Sequence, residues 1–137
     1  MDKAFKISER RFKGGKVTVV EHRNTGFRTL VLSGRCSTIR SAALSNKVPA
    51  VLRGVGRDFL HSFPTTFLQK DFITTFDPNA SYRKTKNVSL EYEFQFVIAD
   101  NIPTNEALQS VLQKNEEVGE LISQKIKKIE AEYGDGK

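Results

Sequence analysis

Residues 4 to 12 alternate, with Phe5 and Ile7 on one face and Lys6, Ser8 and Arg10 on the other, and Gly14-Gly15 then sits between Lys13 and Lys16. Period-two alternation marks a half-buried strand, and a glycine pair supplies the positive φ that a two-residue hairpin turn requires. The pattern predicts a hairpin whose second strand, Lys16 to Arg23, is rich in valine. Asn24-Thr25-Gly26 marks a second turn, and Phe27 to Ser33 returns as strand three. A fourth, weaker strand is expected from Ser37 to Leu44, where Ile39 lies among β-tolerant Ser and Thr; the alanines there suit the start of a helix equally well.

The period then changes. Val48, Val51, Leu52, Val55, Phe59, Leu60 and Phe63 recur at steps of three and four, Pro49 suits a first helical turn and Pro64 stops the run. An amphipathic helix over 49–63 follows. Gly54 and Gly56 weaken it by roughly 1 kcal/mol each relative to Ala, so packing must hold it. Phe67 to Phe76 reads as extended and ends at the turn residues Asp77-Pro78-Asn79. Val88 to Ile98 is the clearest strand, with Val88, Leu90, Tyr92, Phe94, Phe96 and Ile98 on one face and Ser89, Glu91, Glu93 and Gln95 on the other.

After Pro103 a helix is expected from Thr104 to about Tyr133, with Glu106 near the positive end of its dipole. At 1.5 Å per residue it would span roughly 45 Å, so it must overhang a small sheet or bend, with Gly119 as the bend. The 4-3 spacing of Val111, Val118, Ile122, Ile129 and Tyr133 fits either a seam between subunits or packing on the chain's own sheet. The expected fold is one α+β domain over 1–137, an antiparallel meander in the order ββββ-α-ββ-α with an internal amphipathic helix and a long C-terminal one.

Charge divides this chain in two. Residues 1–87 hold seventeen Lys or Arg against six Asp or Glu, a net of +11, whereas residues 88–137 hold five against ten, a net of −5. A basic, Phe-containing, strand-rich body (1–100) followed by an acidic helix (104–133) points to a nucleic-acid partner. Three basic clusters fall at or beside strand ends: Arg10, Arg11, Lys13 and Lys16; Arg23, Arg28, Arg35 and Arg40; and Arg83, Lys84 and Lys86. On a sheet such side chains follow a phosphate backbone, and interleaved aromatics stack on unpaired bases; Phe12 and Phe27, each beside a basic residue, are the candidates.

Other chemistry is thin. His22, His61 and Cys36 have no metal-site or nucleophile spacing, and no catalytic residue, cofactor or metal is expected. Gly14-Gly15 and Arg53-Gly54-Val55-Gly56-Arg57 lack the strand-to-helix context and the Lys of a phosphate loop. Glu91 and Glu93 share a strand face, which a solvated surface explains. With one cysteine, no apolar leader at the N-terminus and no apolar run of membrane-spanning length, a cytoplasmic protein that does not engage membranes is expected.

Two family resemblances follow from these residues. Phe12-Lys13-Gly14-Gly15-Lys16-Val17-Thr18-Val19-Val20-Glu21-His22-Arg23, a short turn and the strand Phe27 to Ser33 resemble the strand-hairpin core of the single-stranded-DNA-binding transcriptional coactivators. The element order resembles the related Whirly fold, although its Lys-Gly-Lys-Ala-Ala-Leu motif has no counterpart here. That resemblance implies a sheet that binds single-stranded nucleic acid, with Lys13, Lys16, Arg23 and Arg28 on the backbone and helices that mediate homo-oligomerisation. Residues 82–122, a basic lead-in, a long strand and a helix, resemble the ending of single-stranded RNA phage coat proteins. The helix expected at 49–63 departs from that pattern, since such coats continue with strands there. The leading expectation is therefore a sequence-nonspecific binder of single-stranded RNA or DNA, homo-oligomeric through its C-terminal helix, with a phage coat protein as the alternative. The small single-domain form suits a virus-encoded protein.

Overall fold

The chain turns at Lys13-Gly14, one residue earlier than the glycine pair alone suggests, because Gly15 already pairs with Phe12 as the first residue of the second strand. In a computed structural model, which describes residues 4–39, 42, 47–79 and 87–133, β1 (Ala4–Phe12) and β2 (Gly15–His22) form an antiparallel hairpin. Gly14 has φ of 96° and Gly26, in the next turn, 74°, a region that costs a glycine nothing. β3 (Arg28–Ile39) pairs with β2 and then with β5 (Asn87–Ile98), which pairs in turn with β4 (Phe67–Asn79). The sheet is antiparallel throughout, five-stranded, in the order β1-β2-β3-β5-β4. Among the described residues, three helices pack beside the sheet: α1 (Lys47–His61), α2 (Thr104–Leu112) and α3 (Asn115–Tyr133).

The fold class is the α+β arrangement expected, in the order βββ-α-ββ-αα. Three boundaries differ. Through Ile39 no separate fourth strand begins: Ser37, Thr38 and Ile39 continue β3, opposite Ser89, Val88 and Asn87. Gly34, which reads as a strand end, lies inside β3 because the Tyr92 ring fills the space a Cβ would need. Asp77-Pro78-Asn79 remains in β4, paired with Glu91, Leu90 and Ser89. β4 is an edge strand, where a proline without an N–H is tolerated. The C-terminal helix breaks at Gln113-Lys114 rather than at Gly119, because α2 packs on β2 whereas α3 packs on β3 and α1.

One face of the sheet carries the core. Val17, Val19, Leu30, Leu32, Phe94, Phe96 and Ile98 form a single buried cluster with Val48, Leu52 and Leu60 of α1, Leu108 of α2 and Ile122 and Ile126 of α3. Burying such side chains contributes about 1.5–3 kcal/mol each, the term that overcomes the two glycines of α1. Phe63 and Phe67 meet edge-to-face at 5.5 Å between ring centroids, and from Phe67 the line of rings continues along β5 through Phe96, Phe94 and Tyr92.

The heptad-like stripe of the last helix belongs to this same core. Val118, Ile122 and Ile129 are at most 4% exposed within one chain, with Val111 of α2 beside them. The intramolecular reading of their spacing is the one the fold uses. Among the described residues, no helix is long and apolar enough to cross a membrane.

Candidate nucleic-acid interface

Because side chains alternate along a strand, the residues between the core positions point to the opposite face, and among the described residues no helix covers them. Lys16, Thr18, Val20, Val31, Ser33, Gln95 and Val97 are half-buried there, against near-complete burial of their neighbours. The register sets Lys16 opposite Ser33 and Ser33 opposite Glu93; the next outward row joins Arg35 to Glu91. Across β2, β3 and the described part of β5 the result is a surface of short polar, β-branched and charged side chains that no described helix covers.

Positive charge collects where the β1–β2 turn meets the ribbon of β3 and β5, which runs on beyond it. Arg11, Lys16 and Arg35 project around this point, with exposed Lys13 in the turn itself. The Arg35 amide donates to the Gly14 carbonyl at 3.1 Å, fixing the turn against β3. A cleft of about 730 Å³ opens here, bounded by Arg11, Lys16, Ser33, Arg35, Glu91 and Glu93 and floored by the glycines Gly15 and Gly34. The two glycines face each other across β2 and β3, and by register their missing side chains would point to the helix side, where a Cβ on Gly15 would collide with the Ser33 backbone oxygen and one on Gly34 with the Tyr92 ring.

Acids accompany the cations. Glu9 lies 3.4 Å from Lys6, 3.8 Å from Arg11 and 3.8 Å from Lys16, so a single carboxylate stands among three positive charges. The hydrogen bond from Lys6, then the charges of Lys6, Lys16 and Arg11, hold the Glu9 carboxyl below the usual carboxylate range. Arg35 Nε lies 3.4 Å from Glu91. Exposed pairs of this kind are weak and screened by solvent, so a phosphate that offers a better partner can displace them.

The sequence-derived set is therefore divided by the fold. Arg11, Lys13, Lys16 and Arg35 come together. Arg10, opposite Val17, projects to the helix side of the edge strand and donates to the Glu9 carbonyl. Arg28 also points to the helix side, where its guanidinium donates to Thr104 Oγ1 at 3.0 Å and to the Ala99 carbonyl at 2.9 Å, bracing the loop that opens α2. Phe12 is half-buried and packs against the core beside the cleft. Arg40, Arg83, Lys84 and Lys86 lie outside the described residues.

Arg23 and Phe27 sit at the opposite end of β2, a strand length of roughly 23 Å from the cleft. Phe27 is 45% exposed, and Arg23 stacks 5.8 Å above the ring of Phe5, itself 42% exposed. Phe5 was not among the residues singled out from sequence. Its alternation reads as a core position, and only the absence of a helix over the edge strand β1 leaves it at the surface.

The remaining candidates resolve into structural roles. His22 Nε2 lies 3.3 Å from Thr29 Oγ1, and His61 occupies the last turn of α1. Burial pushes the Cys36 thiol up to about 11, which keeps it protonated and unreactive near neutrality. Arg53-Gly54-Val55-Gly56-Arg57 lies wholly inside α1 and makes no loop. Among the described residues, no group of three or more His, Cys, Asp or Glu could hold a metal ion. Comparison with protein-family models, curated proteins and solved structures finds no match to this chain.

Proposed function

We propose that the chain binds single-stranded RNA or DNA along the bare face of its sheet, through the phosphate backbone and largely without regard to sequence. The observation that carries this reading is the gathering of Arg11, Lys16 and Arg35, with Lys13 in the adjoining turn, at one end of a surface that no described helix covers. Phe27, 45% exposed at the other end, offers a ring on which an unpaired base can stack, at about 1–3 kcal/mol per base. Binding of a labelled 20-nucleotide single strand, titrated between 50 and 300 mM salt at the scale set by counterion release, tests it. With four phosphates neutralised at about −0.7 each, log affinity should fall against log salt with a slope of about −3. A flat salt dependence overturns the reading.

A phage coat protein is the second reading, and one feature of the fold favours it. β5 passes into two successive helices, α2 and α3, rather than the single helix expected, which resembles the helical ending of such coats. On this reading the same bare face lines the inside of a shell against RNA. Since the apolar stripe of α3 is taken up inside the chain, shell contacts would use other surfaces. Sedimentation separates the two: closed shells of many subunits against a small species.

A further inference from the structure

The cleft at the hairpin tip is charged in an ordered way. Its β1 and β2 side carries Arg11 and Lys16, while its β5 side carries the carboxylates Glu91 and Glu93, with Arg35 on the strand between. Carboxylates repel phosphate, so the acidic side serves no purpose for a ligand that is only a backbone. A ligand with an anion at one end and hydrogen-bond donors at the other suits both sides. β2 and β5 are two strand spacings apart, roughly 10 Å, which is comparable to the reach from a nucleotide's phosphate to its Watson–Crick edge.

Resting on the single-strand reading above, we infer that this cleft takes one unpaired nucleotide, with its phosphate on Arg11, Lys16 and Arg35 and its base on the carboxylates of β5, and that it prefers guanine. The base choice follows from donor geometry. Guanine presents N1–H and the N2 amine side by side, matching the two oxygens of one carboxylate. Adenine and cytosine place a ring acceptor beside their single amine, and uracil flanks its N3–H with two carbonyls, so each brings a lone pair against the carboxylate. Glu93 is the better placed of the two acids. It sits opposite Ser33 in the row that begins at Lys16, and Gln95 Nε2 donates to its Oε2 at 2.8 Å, which orients the group. Glu91 is engaged by Arg35.

The full chain is tested by fluorescence anisotropy with a 12-mer of uridines, carrying at its centre a single guanosine, inosine, adenosine or cytidine. Guanosine should bind roughly tenfold tighter than adenosine or uridine, with inosine, which lacks the N2 amine, between them. Glu93→Gln and the double variant Glu91→Gln/Glu93→Gln should abolish that preference while leaving affinity for plain oligouridylate equal or higher, since negative charge is removed. Equal affinity for all central bases with a steep salt dependence overturns the base preference and leaves backbone binding intact. A guanosine preference that survives the double variant also overturns it. Failure of every oligomer to bind removes both.

Discussion

Arg28 Nη2 donates to the Ala99 carbonyl oxygen at 2.9 Å, joining the start of β3 to the loop before α2 across 71 residues of chain. With Nη1 on Thr104 Oγ1, one guanidinium holds the first turn of α2 in place; Pro103 at its N-cap makes no side-chain capping bond. Arg28→Ala should therefore lower folding stability by about 1.5–3 kcal/mol, the range for hydrogen bonds to a charged group, as read by urea denaturation. Arg23→Ala, at an exposed turn, should shift stability by less than about 0.5 kcal/mol. Equal effects of the two would contradict the role assigned to Arg28.

Gly34 and Tyr92 set a second test. A Cβ on Gly34 meets the phenolic end of Tyr92, and one on Gly15 meets the Ser33 backbone oxygen. Gly34→Ala should cost about 1–3 kcal/mol through overpacking, and much less in a Tyr92→Leu background, where the ring no longer stands in the way. Gly15→Ala should cost at least as much and find no relief from Tyr92→Leu, because its obstacle is backbone. Denaturant midpoints of the single and double variants measure both.

Cys36 and Tyr92 give the pH dependence. Burial raises the thiol from its ordinary 9 to about 11; burial and then the Cys36 charge raise the phenol from 10 to about 12. Both folded values lie above the unfolded ones. Their contribution to stability is thus complete below pH 9 and is lost as pH rises from about 9 through about 12. Thermal denaturation should show a plateau up to pH 9 and then a decline that Cys36→Ala makes shallower. At pH 8 the native thiol should react with a thiol reagent far more slowly than the urea-unfolded chain; equal rates would show that Cys36 is not shielded.

Periodicity made much of this fold legible before any coordinates. The first hairpin, with its turn one residue earlier than the glycine pair suggests, α1 and β5 follow from local spacing, because each hides one face against a partner that any compact solution provides. What stayed hidden depends on pairing at a distance. That β3 runs past Gly34 depends on Tyr92, and that the last helix breaks at Gln113 depends on which strand each half meets. The candidate site divides in the same manner. Sequence flagged Arg11, Lys13, Lys16 and Arg35 as basic, but only the register of β1, β2 and β3 shows that Arg11, Lys16 and Arg35 share a face, beside the turn that holds Lys13, whereas Arg10 and Arg28 do not. Phe12 and Phe27 look alike beside their basic neighbours; one packs on the core and the other stands in solvent.

The bare sheet face, rather than the helical side, is the surface assigned to nucleic acid, and paired charge reversal tests this most directly. Lys16→Glu with Arg35→Glu alters the cleft, and Arg53→Glu with Arg57→Glu alters exposed positions of α1 by the same charge. Measured against one single-stranded oligomer over a salt series, the first pair should weaken binding at least tenfold and make the log–log salt slope shallower by about 1.4, two phosphate contacts' worth. The second pair should leave affinity and slope near those of the unaltered chain. Loss of binding on reversal of Arg53 and Arg57, with the cleft variant unaffected, would contradict the assignment.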